Sequence, residues 1–325
     1  AAIGYKAAAA IANKGPKAFL NSTEFIIKRL MSNAGKRLEL MLLYGGSGLG
    51  KTVSVANVSS TLCNISFSPA TWAAGIWIGA TNAKVELYNS TAIVGSPGTF
   101  KITKTDVANL SITVSGSIGD CAAAVALTAT PLDIYFKGAY GKEALGLDKI
   151  ITTSGTLFGI DNTVYDLWKG REFSAGSNVL TRAKLSKAIV ELTNFGLEEE
   201  VDVLVNPLTW MNMEQDEAAL RFFDSSYSSA KAEKGSESLV YHSQNGKLKI
   251  VAHPFVKQGE AFLLPMEKLK RVGAYDLSMR NPGRNNEMFR ELDSRSGFEI
   301  RAYTDQALFC DHVSHLLKIT GIVNS

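Results

Sequence analysis

The chain has 325 residues, enough for two ordinary domains or one elaborated one, and with 46% of them hydrophobic and 20% charged it can bury a core and is no disordered polymer. It contains no apolar run of about 18 residues, so no membrane span is expected. Its three widely spaced cysteines, Cys63, Cys121 and Cys310, argue against a disulfide framework and fit a reducing compartment. The net charge of +3 is unevenly spread. Residues 1–51 carry eight Lys and Arg against Glu24 and Glu39, a net of +6, and the other 274 residues sum to −3. Such a stretch, with Lys14, Lys17, Lys28 and Arg29 at its centre, suits contact with a polyanion or an acidic neighbouring surface, or simply keeps an arm soluble.

In chain order, residues 1–21 read as an arm broken by Gly4, Gly15 and Pro16. A helix is expected from about Ser22 to Tyr44, with Leu30, Ala34, Leu38, Met41 and Leu42 at helical spacing, weakened at Gly35 and stopped at Gly45-Gly46. Residues 53–140 are nearly uncharged and rich in Ser, Thr, Val and Ile. Short β-branched runs punctuated by turn residues predict a module of six short strands anchored by Trp72 and Trp77, inserted into helical sequence. Residues 141–178 read as an irregular connector whose Phe158, Tyr165 and Trp168 suit packing on a neighbour.

The clearest element is Thr181–Asn206. Leu185, Ala188, Ile189, Leu192 and Phe195 share one helical face, with Arg182, Lys184, Lys187 and Glu191 on the other. Thr181 suits the N-cap, Gly196 suits the left-handed stop, and Val201–Val205 reads as a buried strand. A helix over Thr209–Phe223, a surface loop over 224–238, and strands at Leu248–Ala252, Ala261–Leu264, Gly297–Tyr303 and Leu316–Val323 follow. The C-terminal half is expected to pack around the helix and strand of residues 181–205.

Gly45-Gly-Ser-Gly-Leu-Gly50-Lys51-Thr52 matches the phosphate-loop pattern at every fixed position. In a working loop Gly45 and Gly50 would let backbone N–H groups cradle phosphates, Lys51 would reach the terminal phosphates and Thr52 would hold Mg²⁺. That chemistry needs a strand before the loop and a helix after it. Here the preceding segment has helical spacing and the following one is β-branched, so a glycine-rich bend is the plainer reading. Cys310, His312 and His315 lack a fourth ligand at useful spacing, so no metal site is expected, and the four histidines form no catalytic arrangement.

Five phrases resemble tailed-bacteriophage major capsid proteins of the Hong Kong-type fold: Arg37–Gly50, Gly155–Asp161, Leu204–Trp210, Phe223–Lys231 and Ala302–Phe309. They come in that family's order and span most of the chain. The resemblance implies an α+β fold with an N-terminal arm and helix (1–44), an extended loop region carrying the inserted β-rich domain (45–178), and peripheral and axial domains (179–325). In that scheme Thr181–Phe195 is the spine helix. It implies a non-enzymatic protein without cofactor that self-assembles into hexamers and pentamers of an icosahedral head around double-stranded DNA, in the virion, after assembly in the bacterial cytoplasm. Scaffold, portal and decoration proteins are the implied further partners. Two other readings remain: a nucleotide-binding NTPase using Gly45–Thr52, and a β-rich adhesion or glycan-binding protein using the 53–140 module.

Overall fold

The computed structural model describes residues 2–4, 16–215, 239–243, 246–280, 287–292 and 297–324. The chain divides into two compact units, one of residues 1–42 and 271–309, the other of residues 43–270 and 310–325. The fold is α+β, with helices interspersed among largely antiparallel strands.

The chain opens with β1 (Ala2–Gly4) and then α1 (Pro16–Tyr44), a 29-residue helix roughly 44 Å long at the ordinary rise per residue. Pro16 does not break this helix; it opens it, at a position where its missing N–H is no loss. Gly35 does not interrupt it either, and nothing lies within 4 Å of a Cβ placed there. Among its described side chains burial sets in only at the C-terminal end, at Leu38, Leu40, Leu43 and Tyr44.

The β-rich module is a closed barrel. It comprises β2 (Gly50–Ser59), β3 (Leu62–Phe67), β4 (Lys84–Asn89), β5 (Ala92–Ile93), β6 (Thr99–Asp106), β7 (Ser111–Ser115) and β8 (Asp133–Phe136), ordered β5-β4-β6-β7-β3-β2-β8. An additional antiparallel pairing of β8 with β4 closes the ring, from Val85 opposite Phe136 to Tyr88 opposite Asp133. Closure removes the exposed edges that an open sheet of these strands would have. Ile65, Val85, Leu87, Phe100, Ile102, Ile112, Val114 and Ile134 fill the interior, all fully buried. Trp72 and Trp77 are fully buried too, with ring centroids 5.4 and 5.1 Å from Phe67; the short helix α2 (Ala74–Trp77) sets the second of them. A helix not foreseen in this module, α3 (Ile118–Ala126), packs on β2 and β3. Ser117 caps it by accepting from the Asp120 N–H at 3.0 Å.

Residues 141–178 are more regular than expected. They hold α4 (Leu147–Ile150), a hairpin of β9 (Thr156–Leu157) and β10 (Ile160–Asp161), and β11 (Arg171–Asn178). Then come α5 (Arg182–Asn194), β12 (Val201–Val205), α6 (Pro207–Glu214), β13 (Leu239–Ser243), β14 (Gly246–Ala252) and β15 (Ala261–Leu264). Of the helix expected over 209–223, residues 207–214 are helical, and 216–223 lie outside the described residues, as does the Ser-rich 224–238. The strand expected over 297–303 is two elements in a row of β16 (Leu269–Ser278), β17 (Arg290–Glu291), β18 (Gly297–Glu299) and β19 (Tyr303–Cys310), with fully buried Ile300 at the break. The last strand is β20 (Leu317–Ile322).

The second large sheet is mixed, in the order β11-β20-β15-β12-β14-β13. β12 lies at its centre, parallel to β14 and antiparallel to β15. Leu185, Ala188, Ile189 and Leu192 of α5 pack into one core with Val201, Val203 and Val205, as the apolar spacing predicts, joined by Ile250, Leu263, Leu317 and Ile319. Gly196 stands at φ +89° and ends the helix. Thr181 occupies the N-cap without a side-chain hydrogen bond. In the other unit, β18 pairs with β1 and β17, and β16 with β19 in a two-stranded ribbon.

Candidate functional site

The glycine-rich bend is built as a corner. Gly46 takes φ +76°, and the Ser47 N–H donates to the Tyr44 carbonyl at 2.8 Å. The Leu49 and Thr52 N–H groups donate to the Ile134 and Leu132 carbonyls, and Gly50 pairs with Ile134 in the barrel. Lys51 and Thr52 therefore lie on a strand, and no helix opens after the glycines. The Thr52 hydroxyl, buried, accepts from the Leu132 N–H at 2.9 Å. The Lys51 ammonium is 64% exposed and 4.0 Å from Asp133. With the Ser47, Leu49 and Thr52 N–H groups committed to the turn and the sheet and no helix N-terminus after the glycines, the geometry does not form an anion cradle.

What converges on the bend instead is a buried charged cluster. Lys318 of β20 reaches Asp148 Oδ1 of α4 at 2.5 Å and Glu260 Oε1 at 2.9 Å, with all three side chains about one-sixth exposed. The Tyr44 hydroxyl donates to Glu260 Oε2 at 3.4 Å and accepts from the Lys257 N–H at 3.0 Å. Lys257 Nζ donates to the Gly48 carbonyl at 3.0 Å and stands 4.1 Å over the Tyr44 ring. Burial works against ionisation of Asp148, but Lys318 and Lys257 outweigh it and hold its carboxyl below the usual range. Burial likewise opposes the Lys318 charge, and Glu260 and Asp148 overcome it and push its pKa up. Burial, reinforced by Glu260, drives the Tyr44 phenol well above its ordinary value. Two cations face two carboxylates around a neutral phenol, an arrangement that locks four stretches of the chain together rather than one that turns over a substrate.

The other candidate residues are scattered. Lys14 lies outside the described residues, and Lys17 is in the first turn of α1. Lys28 pairs with Glu24 at 2.6 Å, and the Arg29 guanidinium lies 4.6 Å over the Phe25 ring. On α5, Lys184 does not face outward as its helical position suggests: its ammonium donates to the Ala175 and Val179 carbonyls at 2.8 Å each. Cys310, His312 and His315 do not alternate as a strand would place them. A 3₁₀ turn over Val313–His315 stacks the two imidazoles with centroids 5.3 Å apart. His315 Nε2 sits 3.1 Å from the Phe195 carbonyl, and burial keeps its pKa below the usual histidine value. Among the described residues no group of three or more His, Cys, Asp or Glu is arranged to hold a metal ion.

Two surfaces leave apolar side chains in water. The first is the β9–β10 hairpin and the segment after it. Phe158 and Gly159 both take positive φ, +52° and +81°, the geometry of a type I′ turn. A phenylalanine there costs about 1–2 kcal/mol, and it places the ring at the tip, 6.4 Å from Trp168. Trp168 Nε1 donates to the Leu157 carbonyl at 3.1 Å, and Arg171 pairs with Asp166 at 3.0 Å, which stiffens the loop. Val164, Tyr165 and Leu167 stand 62–68% exposed beside it. The second surface is the β16–β19 ribbon. Lys270–Asp276 are exposed without interruption, and since side chains alternate along a strand, both faces of β16 meet solvent. Val272 and Tyr275 are about half exposed. The aromatic residues of the connector signal the first surface, and nothing in the residue pattern signals the second.

No protein-family model matches the chain, and no curated protein matches it. Among solved structures it is similar to the capsid asymmetric unit of cyanophage A-1(L), at 15% identity and a TM-score of 0.37, over 57% of this chain and 61% of that one. It is also similar to the holo-SrpI encapsulin complex of Synechococcus elongatus PCC 7942, at 8% identity and a TM-score of 0.31, over 50% of this chain and 59% of that one. The chain thus spans about three fifths of the length of each. Among the described residues no helix is long and apolar enough to cross a membrane.

Proposed function

We propose that the chain is a shell subunit, a major capsid protein that assembles into hexamers and pentamers of a closed icosahedral phage head around double-stranded DNA. The observation that carries this reading is the β16–β19 ribbon. A two-stranded ribbon wet on both faces is marginal on its own, and this one keeps Val272, Tyr275 and Phe309 in water. It gains its stability when laid on another subunit. The apolar tip at Phe158, Val164, Tyr165 and Leu167 is a second surface of the same kind. The five capsid-like phrases in family order support the same assignment.

In this reading the barrel is the inserted domain, α5 is the spine between peripheral and axial regions, and the basic stretch through Lys28 and Arg29 faces the genome or an acidic neighbour. Scaffold, portal and decoration proteins would be further partners. Shell formation distributes interface burial over many modest contacts with closed symmetry.

Electron microscopy and light scattering of the purified chain test this directly. Closed shells, capsomers or curved sheets are expected. A particle that stays monomeric at every concentration, with and without double-stranded DNA, ends the proposal. Replacing Val164 and Leu167 by Asp is expected to block assembly while the melting temperature of the subunit stays within about 2 °C, as for exposed positions generally.

A further inference from the structure

The sequence separates Cys63 and Cys121 by 58 positions and gives no reason to pair them; the fold brings them together. Along β3, Cys63, Ile65 and Phe67 are buried while Leu62, Asn64 and Ser66 are less so, which puts Cys63 on the inner face of the barrel. Cys121 lies one turn into α3, on the face that also buries Asp120 and Ala124. The small side chains of the Cys121–Ala124 run allow the helix to settle directly on β2 and β3. There the two thiols are close enough for Cys121 to add to the effect of burial in raising the Cys63 thiol. Both are free and 0% and 2% exposed, and the third cysteine, Cys310, is the last residue of β19.

We propose that Cys63 and Cys121 are a dithiol poised to become an intramolecular disulfide, a redox staple between the barrel wall and its covering helix. The step needs an oxidant, and a low-molecular-weight disulfide supplies it. The thiolate of one cysteine attacks the reagent's S–S bond and releases one small thiol. The thiolate of the other then attacks the resulting mixed disulfide, forming the Cys63–Cys121 bond and releasing the second small thiol. Two protein thiols are oxidised, one reagent disulfide is reduced, and the two protons leave on the reagent's sulfurs. Burial raises the Cys63 thiol to about 12, so the reduced pair reacts slowly until α3 lifts from the barrel. The pair thus stays reduced in a thiol-rich cytoplasm and closes over time in an oxidising medium. This inference does not depend on the shell reading.

The test uses the full chain incubated with excess oxidised glutathione, at room temperature and again just below the thermal midpoint, where α3 opens transiently. Thiols titrated under denaturing conditions are expected to fall from three to one, and the non-reducing digest to contain a peptide pair joined through Cys63 and Cys121. The melting temperature should rise by about 10 °C, the scale for closing a loop of this length in a domain of this size, and return on reduction. Cys310→Ala should behave like the wild type, whereas Cys63→Ala and, separately, Cys121→Ala should abolish both the cross-link and the shift. Three free thiols after treatment at the higher temperature, or a cross-link that involves Cys310, overturns the proposal.

Discussion

Lys318 Nζ and Asp148 Oδ1 stand 2.5 Å apart in the charged cluster behind the glycine-rich bend, joining the last strand to the connector helix α4. Their positions are 170 residues apart in sequence, so the pair closes a long loop. Removing one partner of such a pair strands the other charge out of water. Asp148→Asn is therefore expected to destabilise the unit by about 2–3 kcal/mol, less than the full value for a buried pair because Glu260 still holds Lys318. Urea melts measure it, and a loss below about 0.5 kcal/mol would contradict the assignment.

The same pair sets a pH dependence. Asp148 titrates below its ordinary 3.8 in the folded chain, so its contribution is present above that value and is lost as the pH falls through the lowered one. Lys318 titrates above its ordinary 10.5, so its contribution is complete below that value and fades as the pH rises through the raised one. Melting temperature against pH should show the acid-side fall reduced in Asp148→Asn.

Lys51 and Thr52 separate the nucleotide-binding reading from the structural one. Calorimetry at millimolar MgATP should show no binding by the wild type, and Lys51→Ala should leave stability nearly unchanged because the ammonium is mostly in water. Thr52→Val should cost about 1–3 kcal/mol, since it strips the buried Leu132 N–H of its acceptor. ATP binding that Lys51→Ala abolishes would reverse this account.

Gly273 tests the ribbon. A Cβ at that position would stand 1.8 Å from the Asp305 carbonyl oxygen, so Gly273→Ala must push β16 and β19 apart. The sheet-and-barrel unit does not include this position, so its urea midpoint should hold while shells seen by microscopy become malformed or fail to close. Normal shells from this variant would remove the ribbon from the assembly account.

Neutralising Lys14, Lys17, Lys28 and Arg29 to Gln tests the basic stretch. Shells are expected to form but to retain less DNA, and the salt dependence of DNA binding by the free subunit should become shallower. An unchanged DNA content would assign these residues to subunit contacts instead.

The elements that the sequence announced are those whose apolar spacing also decides their packing. α5 and β12 were legible because Leu185, Ala188, Ile189, Leu192 and the valines of 201–205 face one core. Trp72 and Trp77 were legible as anchors because large rings in an uncharged β-rich stretch have few other places to go. Barrel closure was not legible, because whether β8 pairs with β4 as well as β2 is a matter of long-range register. Helix α3 was missed although Ser117 and Asp120 form its cap, since Ala and Cys carry little periodic signal. The role of Lys184 was misread because a long side chain can curl back to carbonyls of the preceding strand. The charged cluster was not legible because its members come from four distant stretches of sequence, none with a motif of its own.

Gly50 and Ile134 are partners across one pair of strands, so the barrel begins and ends at the same spot. Everything between them is joined covalently to the rest of the chain through that pair of neighbouring strands, while the Gln258 and Gly259 N–H groups brace it by donating to the Trp72 and Ala70 carbonyls. Peptides spliced into its distal turns would add bulk without lengthening the path from α1 to α4, which makes the barrel the natural place to carry foreign sequence on this protein.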